Sequence, residues 1–162
     1  MCKVFTPPMN IAQRNSGNLS LFLAGSIENG SANNWQGEVI YDLMHYNIDI
    51  FNPRRENWDA SLETNFENPL FYQQVNWELN ALEKSDIILM YLEGNTKSPI
   101  SLLELGLFAK SGKMNVVCDD EFWRKGNVDI VCDRYNIKIF GSIQDFEKDL
   151  IKKNNLTHDY SL

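Results

Sequence analysis

Short apolar runs alternate along this chain with longer segments whose apolar residues recur at helical spacing. The clearest run is Ile87–Tyr91, in which no residue is charged, as expected for a strand buried on both faces of a sheet. Ser98-Pro99 then provides a helix start, and Gly112 follows that predicted helix. Because strands that alternate with helices are joined by crossovers, the pattern predicts an α/β fold. The predicted fold is a doubly wound, Rossmann-like, five-stranded parallel sheet with helices on both faces.

The same periodicities set the boundaries of the predicted elements. One domain is predicted over residues 19–155, with a loose N-terminal lead-in over residues 1–18 and a C-terminal tail over residues 156–162. The predicted strands are Leu19–Ala24, Ile48–Phe51, Ile87–Tyr91, Met114–Cys118 and Ile137–Phe140. The predicted helices begin near Ser31, Pro69, Pro99 and Ser142. Since ligands bind at the carboxyl ends of such strands, we expect the site in the segments that follow them.

The composition excludes several classes of function. A net charge of −7 argues against a nucleic-acid polymer as partner, because such a partner requires a basic surface. A small anion is still compatible, since one helix N-terminus can hold a phosphate. No apolar run approaches the ~20 residues of a membrane span. Three cysteines without CxxC spacing, and two histidines, favour neither disulfides nor a metal site. We therefore expect a cytoplasmic protein that needs no metal or other cofactor.

Glu104 is the most informative candidate for chemistry. Its neighbours one turn away on the predicted helix include Ile100, Leu107 and Phe108, and a carboxylate among apolar groups is costly unless it faces a polar site. It lies within two turns of the helix start at Ser98, so we expect the helix dipole to favour its ionised form. An oriented, desolvated carboxylate suits a nucleophile at a sugar anomeric carbon. From the residues alone, a glutamate that caps a neighbouring loop is an equally good interpretation.

Glu78 is the second candidate carboxylate. It lies beside the helical stripe formed by Val75, Leu79 and Leu82, so we expect partial burial and a raised pKa. A raised pKa suits a group that delivers a proton to a departing base. Two carboxylates whose environments push their pKa values apart form the usual pair of acid and nucleophile. The alternative is a solvated glutamate at the edge of an amphipathic helix.

Two short polar motifs that follow predicted strands are candidate substrate contacts. Residues 25–27 (Gly-Ser-Ile) offer close backbone approach and a hydroxyl, and residues 52–55 (Asn-Pro-Arg-Arg) offer an amide and two guanidinium groups. Each also has a structural explanation, as a strand-to-helix turn and as surface ion-pair partners. The sequence contains no P-loop, GxGxxG, GxSxG or HExxH motif.

These motifs together resemble one enzyme family. The similar segments are Leu21–Ile27, Asn52–Arg55, Ser85-Asp86, Ser98–Gly106 and Phe122–Cys132. They resemble the nucleoside 2-deoxyribosyltransferase superfamily, above all its deoxyribosyltransferase-like branch, over about residues 20–140. The resemblance implies cleavage of the N-glycosidic bond of a nucleoside and transfer of the sugar to another base.

The resemblance also implies roles for individual residues. In that family the glutamate of the Glu-Leu-Gly motif attacks C1′ and forms a glycosyl-enzyme intermediate, which implies this role for Glu104. A carboxylate eight residues before the Asp86 position assists the departing base; it is usually an aspartate and here is Glu78. Asn127 matches an asparagine that reaches a neighbouring subunit's active site, which implies a homodimer or larger homo-oligomer. The implied substrate-binding residues are Gly25, Ser26, Ile27, Asn52, Arg54, Asp86, Ser98, Ser101, Asn127 and Asp129.

One difference from the transferases leaves the acceptor open. The well-studied transferases carry an aspartate six residues before the nucleophile, and this chain has Ser98 there. The chain resembles the sister family of 2′-deoxynucleoside 5′-phosphate N-hydrolases in this serine and in residues 25–27. In that family such serines hold the 5′-phosphate, and water accepts the sugar. Hydrolysis of a nucleoside 5′-monophosphate is therefore the alternative to transfer. A second alternative is a non-catalytic nucleotide sensor, which predicts ligand binding that survives Glu104→Gln.

Overall fold

The computed structural model describes residues 2–28, 32–55 and 61–158 and forms an α/β sandwich. The strands are β1 (Lys3–Phe5), β2 (Leu19–Gly25), β3 (Ile48–Phe51), β4 (Ile87–Leu92), β5 (Met114–Cys118) and β6 (Lys138–Phe140). The helices are α1 (Trp35–Leu43), α2 (Pro69–Lys84), α3 (Pro99–Phe108), α4 (Lys125–Tyr135) and α5 (Ile143–Lys153), with a short 3-10 helix at Ile11–Gln13. The predicted start of the first helix, Ser31, lies outside the described residues. None of the helices in the described ranges is long and apolar enough to cross a membrane.

All the strand pairs are parallel, in the order β1-β3-β2-β4-β5-β6. The chain runs outward from β2 to β3 on one side and then returns to place β4 on the other side of β2. This reversal makes the carboxyl ends of β2 and β4 the switch point, where doubly wound sheets bind ligands. The predicted fold class is confirmed in its parallel sheet and its helices.

The predicted number of strands is wrong, because the sheet has six strands and not five. The additional strand, β1, lies within the segment predicted as a loose lead-in and pairs with β3. Phe5 is fully buried there, and its ring meets the ring of Phe51 edge to face at 5.6 Å. The strand is short and lies in a polar segment that carries Pro7-Pro8, which the sequence pattern assigns to a loop.

Two hydrophobic layers cover the two faces of the sheet. Alternate residues of a strand point to opposite faces, so Leu21 and Leu23 of β2 face one layer while Phe22 and Ala24 face the other. Helices α1 and α5 pack on the layer that contains Leu21 and Leu23, and helices α2, α3 and α4 pack on the layer that contains Phe22 and Ala24. Both candidate carboxylates, on α2 and α3, therefore lie on the same side of the sheet.

The close pairing of β2 and β4 depends on Gly25. Its φ is +134°, and a Cβ at this position would lie 2.0 Å from the carbonyl oxygen of Tyr91. Gly25 therefore lets the two central strands approach where they end, beside the candidate site.

Replacement of Gly25 by alanine should destabilise the protein strongly. The contact is with backbone, which cannot move aside cheaply, so we expect a loss of about 3 kcal/mol and roughly 10 °C in Tm. Gly106→Ala is the matched control, because a Cβ on this helical glycine meets nothing within 4 Å and should be neutral or stabilising. Thermal unfolding of both variants by circular dichroism measures the difference, and equal Tm values would contradict the steric argument.

A buried carboxyl group far from the switch point limits stability at high pH. Glu147 of α5 is 6% exposed, and its Oε1 has no hydrogen-bond partner in the described part of the chain. Burial, together with the charges of Asp42 and Glu38 on α1, raises the pKa of Glu147 from 4.5 to about 7. The folded state thus binds this proton more tightly than the unfolded state does.

Glu147→Gln is therefore expected to raise stability at pH 9 but not at pH 4. Because the pKa is higher in the folded state, the stability present below pH 4.5 is lost as the pH rises through about 7. The variant removes this loss, and we expect a gain of about 1–3 kcal/mol at pH 9. The control Glu67→Gln changes an exposed carboxylate and should shift Tm little. Scanning calorimetry at both pH values tests this, and an unchanged Tm at pH 9 would be inconsistent with it.

Candidate active site

Three buried hydroxyl groups lie together at the carboxyl ends of β2 and β4. Ser26 Oγ lies 2.7 Å from Thr96 Oγ1 and 2.8 Å from Ser98 Oγ, and the last two oxygens are 2.9 Å apart. The Glu93 amide donates to Ser26 Oγ at 2.9 Å. This cluster joins the segment after β2 to the segment between β4 and α3. Thr96 is not among the predicted site residues. Its position two residues before Ser98 is the one sequence feature that could have indicated it.

The start of α3 differs in detail from the prediction. Pro99 is the first helical residue, as predicted, but the Ser98 side chain makes no capping hydrogen bond to the helix. Ser98 has a left-handed backbone, with φ of +44°, which directs its hydroxyl into the cluster. Glu28 approaches instead: its Oε1 accepts from the Lys97 amide at 3.0 Å and from the Ser98 amide at 2.6 Å.

Glu104 lies on α3 and is 9% exposed. Burial, and then the negative charge of Glu78, raise its pKa from 4.5 to about 8. The direction is opposite to the sequence expectation, because desolvation and a second carboxylate outweigh the helix dipole. Ser101, also buried, lies one turn earlier on the same helix.

Glu78 lies on α2, and its charge interacts with that of Glu104. Gln74, one turn earlier, donates from Nε2 to Glu78 Oε1 at 2.6 Å and to the Pro53 carbonyl at 3.1 Å. Burial raises the pKa of Glu78 from 4.5 to about 7, against the Gln74 hydrogen bond and the charge of Arg55, which lower it. The predicted direction is confirmed, but the two pKa values are both raised rather than widely separated. Gln74 was missed, although its i, i+4 spacing to Glu78 is visible in the sequence.

The polar motif after β3 holds the loops around the site. Asn52 Oδ1 accepts from the Arg54 amide at 3.0 Å in a local turn. The Arg54 guanidinium donates to the Asn33 carbonyl at 2.8 Å and to the Ala32 carbonyl at 3.0 Å, immediately before α1. These contacts hold the loop before α1, and a contact between Arg54 and a substrate stays a prediction. Ile27, half-buried, accepts from the Ala32 amide in the same region.

The structure does not bring Asp86 to the candidate site. Asp86 precedes β4, and its Oδ2 accepts from the Ser20 amide at 2.9 Å and the Ser20 hydroxyl at 2.6 Å, with Arg14 at 3.4 Å. A strand rises about 3.3 Å per residue, so Asp86 lies roughly 20 Å from the carboxyl end of β4 at Leu92. Its hydrogen bonds tie the amino ends of β2 and β4 together, and its contact with a substrate stays a prediction.

Asn127 and Asp129 lie on α4, whereas the two carboxylates lie on α2 and α3. Asp129 accepts a hydrogen bond from Lys125 at 3.1 Å. Asn127 is exposed and lines a cavity of about 350 Å³ between α3 and α4. The cavity is lined by Leu102, Leu105, Gly106, Trp123, Arg124, Asn127, Val128 and Val131. Since each residue turns a helix by about 100°, Gly106 faces away from Glu104, and neither Glu78 nor Glu104 is among the residues that line the cavity.

A comparison with family models identifies the chain. The model described as "Nucleoside 2-deoxyribosyltransferase like" matches residues 18–122, which is more than half of the sequence. The chain belongs to the nucleoside 2-deoxyribosyltransferase-like family. The matched range contains Glu78, Glu104 and the hydroxyl cluster, and it ends before Asn127 and Asp129. The resemblance found in the sequence is thus confirmed.

The chain was also compared with solved structures and with curated proteins. A conserved protein from Enterococcus faecalis V583 has a similar fold, with a TM-score of 0.61 and 12% sequence identity over 84% of this chain and 99% of its own. A search of curated proteins finds no significant match.

Within the described ranges, no group of three or more histidine, cysteine, aspartate or glutamate side chains is placed to hold a metal ion.

Proposed function

We propose that this chain cleaves the N-glycosidic bond of a (deoxy)nucleoside and transfers the sugar to another base. The observation that carries the proposal is a pair of electrostatically coupled carboxyl groups, half-buried Glu78 on α2 and buried Glu104 on α3. The family match supports an enzyme of the deoxyribosyltransferase type and a nucleoside substrate. The reaction and the residue roles below are our proposal.

The chemistry proceeds in two displacements at C1′. The Glu104 carboxylate attacks C1′, the bond from C1′ to the base nitrogen breaks, and that electron pair leaves with the base, which takes a proton from Glu78. A second base then attacks C1′ of the glycosyl ester, its N–H proton passes to Glu78, and Glu104 leaves as a carboxylate. No net proton or electron is consumed.

The protonation of the pair fits this scheme. Because each negative charge opposes the other, the pair favours a state with one proton over a state with two charges. The Gln74 amide donates to Glu78 Oε1, which leaves Oε2 to carry the proton towards the base. The ligand-free pair has the higher pKa on Glu104, so the scheme requires this proton to move to Glu78 before attack.

A homo-oligomer that shares its active sites is part of the proposal. Large apolar side chains are exposed along α3 and α4, which supports a further subunit on this face. They are Ile100, Leu103 and Leu107 on α3 and Ile130 on α4. Asn127, exposed on α4, would then reach the carboxylate pair of a second copy.

The proposal is tested by product analysis. The full chain is incubated with deoxyuridine or deoxyuridine monophosphate, each with excess adenine, and the products are separated by chromatography with mass detection. Deoxyadenosine, absent in a parallel Glu104→Gln reaction, establishes transfer. Uracil with free sugar or sugar phosphate, and no new nucleoside, would replace transfer by hydrolysis. Binding of either donor without any product would favour the sensor.

A further inference from the structure

A carboxylate of the chain itself occupies the start of α3. Glu28 Oε1 accepts hydrogen bonds from the amides of Lys97 and Ser98, and it lies 3.5 Å from Ser98 Oγ. The N-terminus of a helix attracts negative charge, and phosphate groups commonly bind there. In this chain the Glu28 carboxylate has taken such a position.

The hydroxyl cluster beside Glu28 uses its protons in hydrogen bonds within the protein. Each hydroxyl has one proton to donate. Thr96 directs its proton to the Glu93 carbonyl at 2.8 Å, while Ser26 and Ser98 have the other hydroxyl oxygens of the cluster as neighbours at 2.7–2.9 Å. Ser26 also accepts the Glu93 amide. A phosphate, which only accepts at its charged oxygens, would have to break these bonds to be held here.

The backbone at Glu28 is held in an unusual conformation. Glu28 has a φ of +46° and Ser98 has a φ of +44°, a region that side-chain-bearing residues adopt at a cost. Two such residues face each other across the contact between Glu28 and the Ser98 amide. The fold thus maintains the carboxylate at the helix start against local strain.

The start of α3 lies within reach of the sugar. Ser98 precedes Glu104 by six residues, which is about 9 Å along a helix. Helix side chains lean towards the N-terminus, so the Glu104 carboxyl group covers part of this distance, and the 5′ substituent of a furanose held at C1′ extends over the remainder towards Ser98 and Glu28. Whatever the 5′ carbon carries is then placed beside a fixed negative charge.

We infer that Glu28 is a specificity-determining residue whose carboxylate excludes a 5′-phosphate, so that the site takes nucleosides with a free 5′ hydroxyl. This inference rests on the proposed function, and it names the substrate class within it. The phosphate of a nucleotide would meet the Glu28 charge at short range, in a partly desolvated site, whereas a neutral hydroxyl meets no such repulsion.

Steady-state kinetics of three variants test this role. Glu28→Gln keeps an acceptor oxygen for both amides and removes the charge, whereas Glu28→Asp keeps the charge. Glu121→Gln is the control, because it removes an exposed carboxylate from the segment after β5 without touching α3. We measure kcat/KM for deoxyuridine and for deoxyuridine monophosphate. Glu28→Gln is expected to shift the ratio towards the monophosphate at least about tenfold, mainly through its KM. Glu28→Asp and Glu121→Gln should shift it less than about threefold.

Titration with inorganic phosphate gives a readout that does not need turnover. Isothermal calorimetry should show tighter phosphate binding by Glu28→Gln than by the wild type, with circular dichroism as the check on folding. A wild type that uses the monophosphate at least as well as the nucleoside overturns the inference, as does an unchanged ratio in Glu28→Gln. If no variant turns over either donor, the proposed function fails. The phosphate titration then decides the inference on its own: tighter phosphate binding by Glu28→Gln than by the wild type supports the role of Glu28, and equal binding overturns it.

Discussion

Glu104→Gln is expected to lower the rate of base exchange by about 10⁴-fold or more, and at the same time to stabilise the protein. The amide has nearly the shape of the carboxyl group but cannot attack C1′, so no glycosyl-enzyme forms. It also removes a buried group whose pKa is raised from 4.5 to about 8. A loss of activity with a gain of stability distinguishes a catalytic carboxylate from one that holds the fold together.

The stability effect has a defined pH dependence. Between pH 4.5 and about 8 the folded state holds the Glu104 proton more tightly than the unfolded state, so wild-type stability falls as pH rises through this window. At pH 9 we expect the variant to gain about 2 kcal/mol or more, and at pH 4 nothing. The measurements are product formation by mass detection and calorimetry at both pH values.

Glu147→Gln is the matched control for Glu104→Gln. It also neutralises a buried carboxyl group with a raised pKa, but one that faces α1 on the opposite side of the sheet. It should gain stability at pH 9 and keep its activity. Residual activity above about a tenth of wild type in Glu104→Gln would remove Glu104 from the mechanism.

The sequence predicts the central part of this fold because the signal there is local. The apolar run of β4 and the Ser-Pro start of α3 are each read from consecutive residues, and both lie where predicted. β1 is three residues long and is identified by its pairing with β3, which is a long-range contact. α4 was not predicted, since charged and polar residues interrupt its apolar positions.

The candidate site is less predictable, because its electrostatics arise between elements. The pKa of Glu104 rises because the packed elements desolvate its carboxyl group and because α2 brings Glu78 towards α3, and no spacing in the sequence expresses either effect. The contact of Glu28 with the α3 amides likewise joins residues 70 positions apart. Asp86 is different: its place before β4 already put it at the amino end of a strand, the end opposite to ligands. There the structure agrees with the strand pattern, and the substrate contact of Asp86 stays a prediction.

The pH profile of wild-type kcat/KM is expected to be bell-shaped and to change form in Glu78→Gln. With both carboxyl groups protonated no nucleophile is present, and with both ionised no proton is available for the base. The two limbs report macroscopic pKa values of the coupled pair. Because the pKa is raised from 4.5 to about 7 for Glu78 and to about 8 for Glu104, activity should be greatest well above pH 4.5 and fall on either side of its maximum.

Glu78→Gln is expected to lower kcat by about 10²–10⁴-fold and to abolish the alkaline limb. The acid limb should remain near its wild-type position, because Glu78 is protonated and neutral on that limb and exerts no charge on Glu104 there. Donors whose bases leave readily without a proton provide the internal control, since they should lose much less activity. An alkaline limb that persists in the variant would mean that another group protonates the base. Only Glu104 would then retain its proposed role, because the acid limb depends on the nucleophile alone.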